Sequence, residues 1–273
     1  MANSINTNGG ALVALQTLNA TNKALETTQN RVNTGLKVSS AKDNGAIFAI
    51  ATSQRAEMGA QDAVRQSLQR GQSIVDVALA AGDTVTSALN ELKGLAVAIQ
   101  DAAAGSDTAN KLNADFDSIV KEIGSALGGA KFDGVNLFNA NAAAIQVTTN
   151  TSGGKFDLKA ITATATDPTK ATGAGAYDFA TLTDRTAANV DKAINSFAST
   201  LADLGTKSKS LDRQMTFVNK LQDSLETGIG NLVDADLAKE SARLTALQTK
   251  QQLGVQALSI ANSSSSILLG LFR

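Results

Sequence analysis

The chain has 273 residues, 24 basic and 25 acidic, with neither His nor Cys. A formal charge of −1 leaves no electrostatic footprint for nucleic acid or an anionic membrane, and offers little repulsion to self-association. Without His or Cys, the usual zinc, copper, haem and iron–sulfur ligand sets and the Ser-His and Cys-His nucleophile pairs are excluded, so no cofactor is expected. An enzyme would have to rely on carboxylates, Lys, Ser or the single Tyr177.

Aromatics make up 4 % and Pro occurs once, so the core must come from Ala, Leu, Ile and Val, and long helices meet no breaker. Met1 to Gly10 is polar, which predicts no secretory signal. No apolar run approaches the ~18 residues that span a bilayer.

Residues 1–22 carry no side-chain charge. Ile5 and Leu12 are seven apart, as are Leu18, Leu25 and Val32, with Leu15 joining the two sets. The spacing predicts an amphipathic helix from about Thr7 to Thr34, ended by Gly35. Ser40-Ala41-Lys42-Asp43 then matches a capping box. Beyond it Val64, Leu68, Val75, Leu79, Val85, Leu89, Leu92, Ala96 and Ile99 recur mostly at three and four. A turn is expected at Ala104 to Asp107, then a helix from Thr108 to Leu127 with Asp117 and Lys121 paired on its surface.

Gly128-Gly129 stops that helix. From about 131 to 186 the chain turns β-rich, with short alternating pieces such as Ile145-Gln146-Val147 and Phe156-Asp157-Leu158. The most regular stretch follows: Val190, Ile194, Phe197, Leu201, Leu204, Ser208, Leu211, Met215, Val218, Gln222, Leu225, Ile229 and Leu232 alternate steps of four and three. That is about six heptads and a rod of roughly 65 Å. Its partners are expected from the helices between 45 and 127. Lys207, Lys209 and Arg213 read as a solvated face.

The heptad phase slips at Asp234-Ala235-Asp236, read as a helix start with acids near its N-terminus rather than a metal motif. Between Gln251 and Phe272 no side chain is charged. Leu253, Ala257, Ile260, Ile267 and Leu271 form one helical stripe, and Leu244, Leu247, Leu258, Ala261 and Leu268 a second beside it, with Phe272 at the end. One stripe suffices for a surface helix, so two describe a helix covered on more than one side. The expected fold is mainly α: a nested antiparallel bundle of long helices with a small β-hairpin region and paired N- and C-terminal helices.

Several stretches resemble bacterial flagellin. Asn33-Thr34-Gly35-Leu36-Lys37-Val38-Ser39-Ser40-Ala41-Lys42-Asp43-Asn44 is similar to the family's S-S-G-L-R-I-N-S-A-K-D-D, Lys131-Phe132-Asp133-Gly134-Val135 to its Q-F-N-G-V, and Leu232-Val233-Asp234-Ala235-Asp236 to its I-E-D-A-D. Gln248, Gln251-Gln252, Gly254, Leu258 and Ala261-Asn262 fall at positions of its Gln-rich terminal helix. The resemblance covers about residues 1–138 and 185–273, and its intervening segment is short, as in a minimal flagellin without large outer domains.

The resemblance implies a structural subunit that self-polymerises into the flagellar filament, with residues 1–42 and 233–273 as inner core and 43–232 as a rod. It implies export without a cleaved signal through the hollow flagellum, and as partners an export chaperone, the type III export apparatus, the filament cap and hook-associated proteins. The alternatives are a hook–filament junction protein, a coiled-coil adaptor or a carboxylate enzyme. Ser and Thr between 148 and 186 are candidates for O-linked sugar, and the Asn sequons are read as chance. Asn90-Glu91-Leu92-Lys93-Gly94-Leu95-Ala96-Val97-Ala98 corresponds to a stretch that an animal innate-immune receptor reads, but Glu91 replaces an Arg, which implies weak recognition. Buried unpaired charge costs several kcal/mol, so uncharged ends suit burial among copies. The residues expected to pack there are Ile5, Leu12, Leu15, Leu18, Leu25, Val32, Leu244, Leu247, Leu253, Leu258, Ile260, Ile267, Leu268, Leu271 and Phe272. Such ends are expected to be marginal helices in the monomer and to order on assembly.

Overall fold

The computed structural model describes residues 8–139, 145–158, 167–171 and 177–270. Helix α1 spans Gly9–Thr34, α2 Gly45–Asp101, α3 Asp107–Gly129, α4 Ala187–Val233 and α5 Leu237–Gly270. Strands β1 (Ile145–Thr148) and β2 (Lys155–Leu158) form one antiparallel hairpin, and β3 (Lys170–Ala171) and β4 (Tyr177–Asp178) a second. The mainly helical reading with a small β-hairpin region holds.

Side chains at the ends explain most boundaries. Asn8 Oδ1 accepts from the Ala11 amide (3.0 Å), and Gly35 closes α1 at φ 70° with its amide on the Arg31 carbonyl, a left-handed conformation that disfavours a Cβ. Ser106 caps α3 through the Ala109 amide. At its far end the buried Asn136 amide donates to the Leu127 carbonyl (2.7 Å). Asp236 caps α5 through the Lys239 amide (3.1 Å), so the Asp-x-Asp pair starts a helix. The capping box expected at Ser40 is not the cap of α2. Asn44 is, with Oδ1 accepting from the Ile47 amide (3.1 Å), while Asp43 turns back onto Ser39 and Ser40.

The chain divides into two compact units, residues 57–223 and residues 1–56 with 224–273. In the first, Leu68, Val75, Val85, Leu89 and Leu92 of α2, Phe116 and Ile123 of α3, and Val190, Phe197, Leu204, Leu211 and Val218 of α4 share one buried cluster. Each such side chain contributes about 1.5–3 kcal/mol by leaving water. Val147 and Leu158 bring the β1–β2 hairpin onto this core. The hairpin approaches so closely that a Cβ at Gly71 would lie 2.6 Å from Val147 Cγ2. The two polar members of the heptad stripe have partners on α2: Gln72 donates to Ser208 Oγ (2.7 Å), and Gln222 to Asp62 (2.9 Å).

Asp117 does not pair with Lys121. It takes instead the guanidinium of Arg185, a residue 3 % exposed. Arg185 also donates to the Phe179 carbonyl and to Asn113, and its Cζ lies 5.1 Å from the centre of the Phe116 ring. A buried cation needs all its donors used, and partners 68 and 72 residues away satisfy that better than a helical neighbour would.

In the second unit α1 and α5 pack antiparallel. Asn8 near the start of α1 donates to the Ala261 carbonyl (2.7 Å), and Arg31 in its last turn pairs with Glu240 in the first turn of α5 (3.0 Å). The same unit holds a small core of Val38, Ala51, Ile229 and Val233.

Candidate self-association surface

Which face of α1 meets α5 follows from the covered positions. On α1 these are Ala11, Ala14, Leu18, Thr21, Leu25, Thr28 and Val32, alternating steps of three and four as in a coiled-coil seam. On α5 they are Glu240, Leu244, Leu247, Gln251, Gly254, Leu258 and Ala261, in the same rhythm. Leu18 sits over Gly254, where a Cβ would lie 3.3 Å from Leu18 Cδ1. Gln251 donates to Asn22 Oδ1 (2.8 Å). Ala and Gly at the seam let the two backbones approach, amides take polar contacts along it, and the covered charge of Glu240 is paired with Arg31.

The seam uses only part of the apolar surface. Leu12 and Leu15 stand 59 % and 43 % exposed, and Leu253 and Ile260 stand 60 % and 64 % exposed. Of the two stripes read on α5, Leu244, Leu247, Leu258 and Ala261 face α1, whereas Leu253, Ala257 and Ile260 face away from it. Leu18, Leu25 and Val32 belong to the seam, but Leu12 and Leu15 do not. Val13 and Val255, which the spacing did not single out, join the exposed set. Ile5, Leu271 and Phe272 lie outside the described residues, as do the side chains of Ile267 and Leu268.

Sequence spacing also missed Asn8, Asn22, Arg31 and Glu240, which fix how the two helices lie along each other. Heptad phase was the signal for Glu240, which stands four residues before Leu244. Among the described residues no cluster of acidic side chains could hold a metal ion, and no helix is long and apolar enough to cross a membrane.

A pair of long helices that leaves an apolar stripe exposed marks a protein built to associate through that surface. Comparison with known proteins specifies which. The bacterial flagellin N-terminal helical region matches residues 5–143 and the C-terminal helical region residues 187–272. The chain is 51 % identical over 271 residues to the flagellin FljM of Caulobacter vibrioides, covering 99 % of both chains. It is 43 % identical over 283 residues to a flagellin of Brucella melitensis, again covering 99 % of each. The chain belongs to the bacterial flagellin family: it is a structural subunit of the extracellular flagellar filament. Nothing in these matches favours a hook–filament junction protein.

Proposed function

We propose that α1 and α5 are the elements through which copies of this chain join, with the exposed Leu12, Val13 and Leu15 of α1 and Leu253, Val255 and Ile260 of α5 covered by the same helices of neighbouring subunits. One observation carries the reading: Leu12, Val13 and Leu15 of α1 and Leu253, Val255 and Ile260 of α5 stay exposed on a helix pair whose own seam is already filled by other residues. Burial of that surface supplies the driving force, and the absence of charge between Gln251 and Phe272 removes the penalty that burial among copies would bring. Residues 1–42 with 233–273 are then the inner filament core and 43–232 the rod around it.

Two long helices holding each other through a single narrow seam are marginal alone, so α1 and α5 gain order on assembly. Family membership supports export through the growing flagellum by the type III apparatus, with an export chaperone, the filament cap and hook-associated proteins as further partners. Glu91 is exposed, and its reversed charge supports weak recognition by the innate-immune receptor. Ser and Thr between 148 and 186 remain the proposed O-glycosylation region.

The test is seeded growth of the purified chain followed by electron microscopy. Long helical filaments are the expected product, and a small closed oligomer at high concentration would refute the reading.

A further inference from the structure

Asn-Gly occurs twice in the chain, at Asn8-Gly9 and Asn44-Gly45, and both pairs stand at the start of a helix, α1 and α2. Asn is chemically labile, most of all before Gly, where no side chain keeps the next backbone nitrogen away from the Asn carboxamide. In that reaction the Gly nitrogen bonds to Asn Cγ and gives up its proton, the Cγ–Nδ2 bond breaks, and ammonia leaves. Water then opens the cyclic imide to Asp or isoaspartate.

At Gly9 the nucleophile is open. Its amide is one of the first in α1, which no helical carbonyl uses, and the residue is exposed, with nothing within 4 Å of where a Cβ would stand. The electrophile is held. Asn8 Oδ1 accepts from the Ala11 amide (3.0 Å) and Nδ2 donates to the Ala261 carbonyl (2.7 Å), so Cγ is anchored on both sides and cannot swing over the Gly9 nitrogen. Asn44 is held differently, by its Oδ1 on the Ile47 amide of its own helix. One of the two anchors of Asn8 therefore belongs to α5, 253 residues away.

We propose that Asn8 is a site of spontaneous deamidation that pairing with α5 suppresses, and that its conversion to a carboxylate unlocks the terminal pair. A carboxylate accepts hydrogen bonds and donates none. The Asp product keeps the cap, which it serves as well as Asn does, but sets an oxygen against the Ala261 carbonyl. It also brings a charge into residues 1–22, which have none, beside the uncharged stretch 251–272. At the exposed Asn44 the same conversion leaves the cap in place and puts a negative charge at the N-terminus of α2, where it is favoured. The consequence for assembly rests on the filament reading; the chemistry and the unlocking do not.

The full chain, held unassembled at mildly alkaline pH, is followed by peptide mapping that separates Asp from isoaspartate. Leu258→Ala, which thins the α1–α5 seam, is expected to speed conversion of Asn8 about threefold or more and to leave Asn44 unchanged. Gly9→Ala, for which there is room, is expected to slow conversion of Asn8 about tenfold by shielding the nitrogen. Asn8→Asp is expected to speed hydrogen exchange of peptides covering 9–25 and 244–261 about fivefold, to leave those covering 64–92 unchanged, and to slow seeded filament growth. Asn44→Asp is expected to change none of these.

Conversion of Asn8 that ignores Leu258→Ala would overturn the guarding by α5. Exchange over 9–25 and 244–261 that Asn8→Asp does not move, or that Asn44→Asp moves equally, would overturn the unlocking, as would equal acceleration over 64–92. Absence of conversion at Asn8, in the unaltered and Leu258→Ala chains alike, under conditions that convert Asn44 would overturn the whole proposal. Should the unaltered chain fail to polymerise, the filament reading falls while mapping and exchange still decide the role of Asn8.

Discussion

Arg31 of α1 and Glu240 of α5 stand 209 residues apart in the chain and 3.0 Å apart in space. Their side chains are 27 % and 11 % exposed, so this ion pair is screened far less than one on an open helix face. Arg31→Ala leaves a covered carboxylate without its cation and is expected to cost about 2 kcal/mol. Glu240→Ala is expected to cost less, because the longer Arg side chain can carry its charge to water. Denaturant titration followed by circular dichroism checks both, with the double variant recovering part of the loss.

Arg185 joins the end of the β3–β4 segment to α3. Replacing it with Met, similar in length, takes one donor from the Phe179 carbonyl and one from Asn113 Oδ1, and removes the cation from the Phe116 face. A loss of about 3 kcal/mol is expected. Asp117 is half-exposed and can rehydrate, which sets the upper limit. The unfolding midpoint measures it, and limited trypsin digestion should cut the loosened segment at Lys170.

The open stripe makes the opposite demand. Leu253→Lys or Ile260→Lys adds a charge to a surface that faces solvent in the single subunit, so the helical signal and midpoint of the monomer are expected to change by less than about 0.5 kcal/mol. Seeded polymerisation is expected to stop. A seam variant such as Leu25→Ala reverses the pattern, with a loss of about 2–3 kcal/mol at this buried site and assembly weakened only through that instability.

The β3–β4 hairpin is expected to be sensitive to acid. A hydrogen bond from Lys170, reinforced by the Ala180 amide, holds Asp178 below the usual carboxylate range. Because the folded value is depressed, the contribution is present above the unfolded value of about 3.9 and is lost as pH falls through the folded one. Lys170 is raised by the same contact, so its contribution is present below about 10.4 and is lost as pH rises through the raised value. Tyr177 is the single Tyr in a chain without Trp and lies in β4, so its fluorescence reports the acid limb. Lys170→Met is expected to abolish that change.

Much of this was legible in the linear pattern. The steps of three and four from Val190 to Leu232 mark α4 almost to the residue, since the pattern runs unbroken through Gly205, Gly228 and Gly230 and meets no Pro. Gly35 and the Asp234-Ala235-Asp236 slip mark the breaks, because a left-handed terminator and a capping acid act within a few residues of themselves. The capping box misled, since Ser40 and Asn44 are both competent caps and only the path of the turn selects between them. The Asp117 pairing misled for a related reason: a helical neighbour at i+4 is always available, but a buried guanidinium from residue 185 offers more.

The sequence by itself determined that the chain is mainly helical, that its terminal helices pair, and that residues 1–22 and 251–272 carry no charge. These follow from periodicity and from the cost of burying charge, which act residue by residue. Only the tertiary structure decided which stripe of α5 is spent on α1 and which is left exposed. Leu244 and Leu253 carry the same side chain on the same helix, and what separates them is the position of Ala11, Ala14 and Gly254, where small residues let two backbones close on one face and leave the other open.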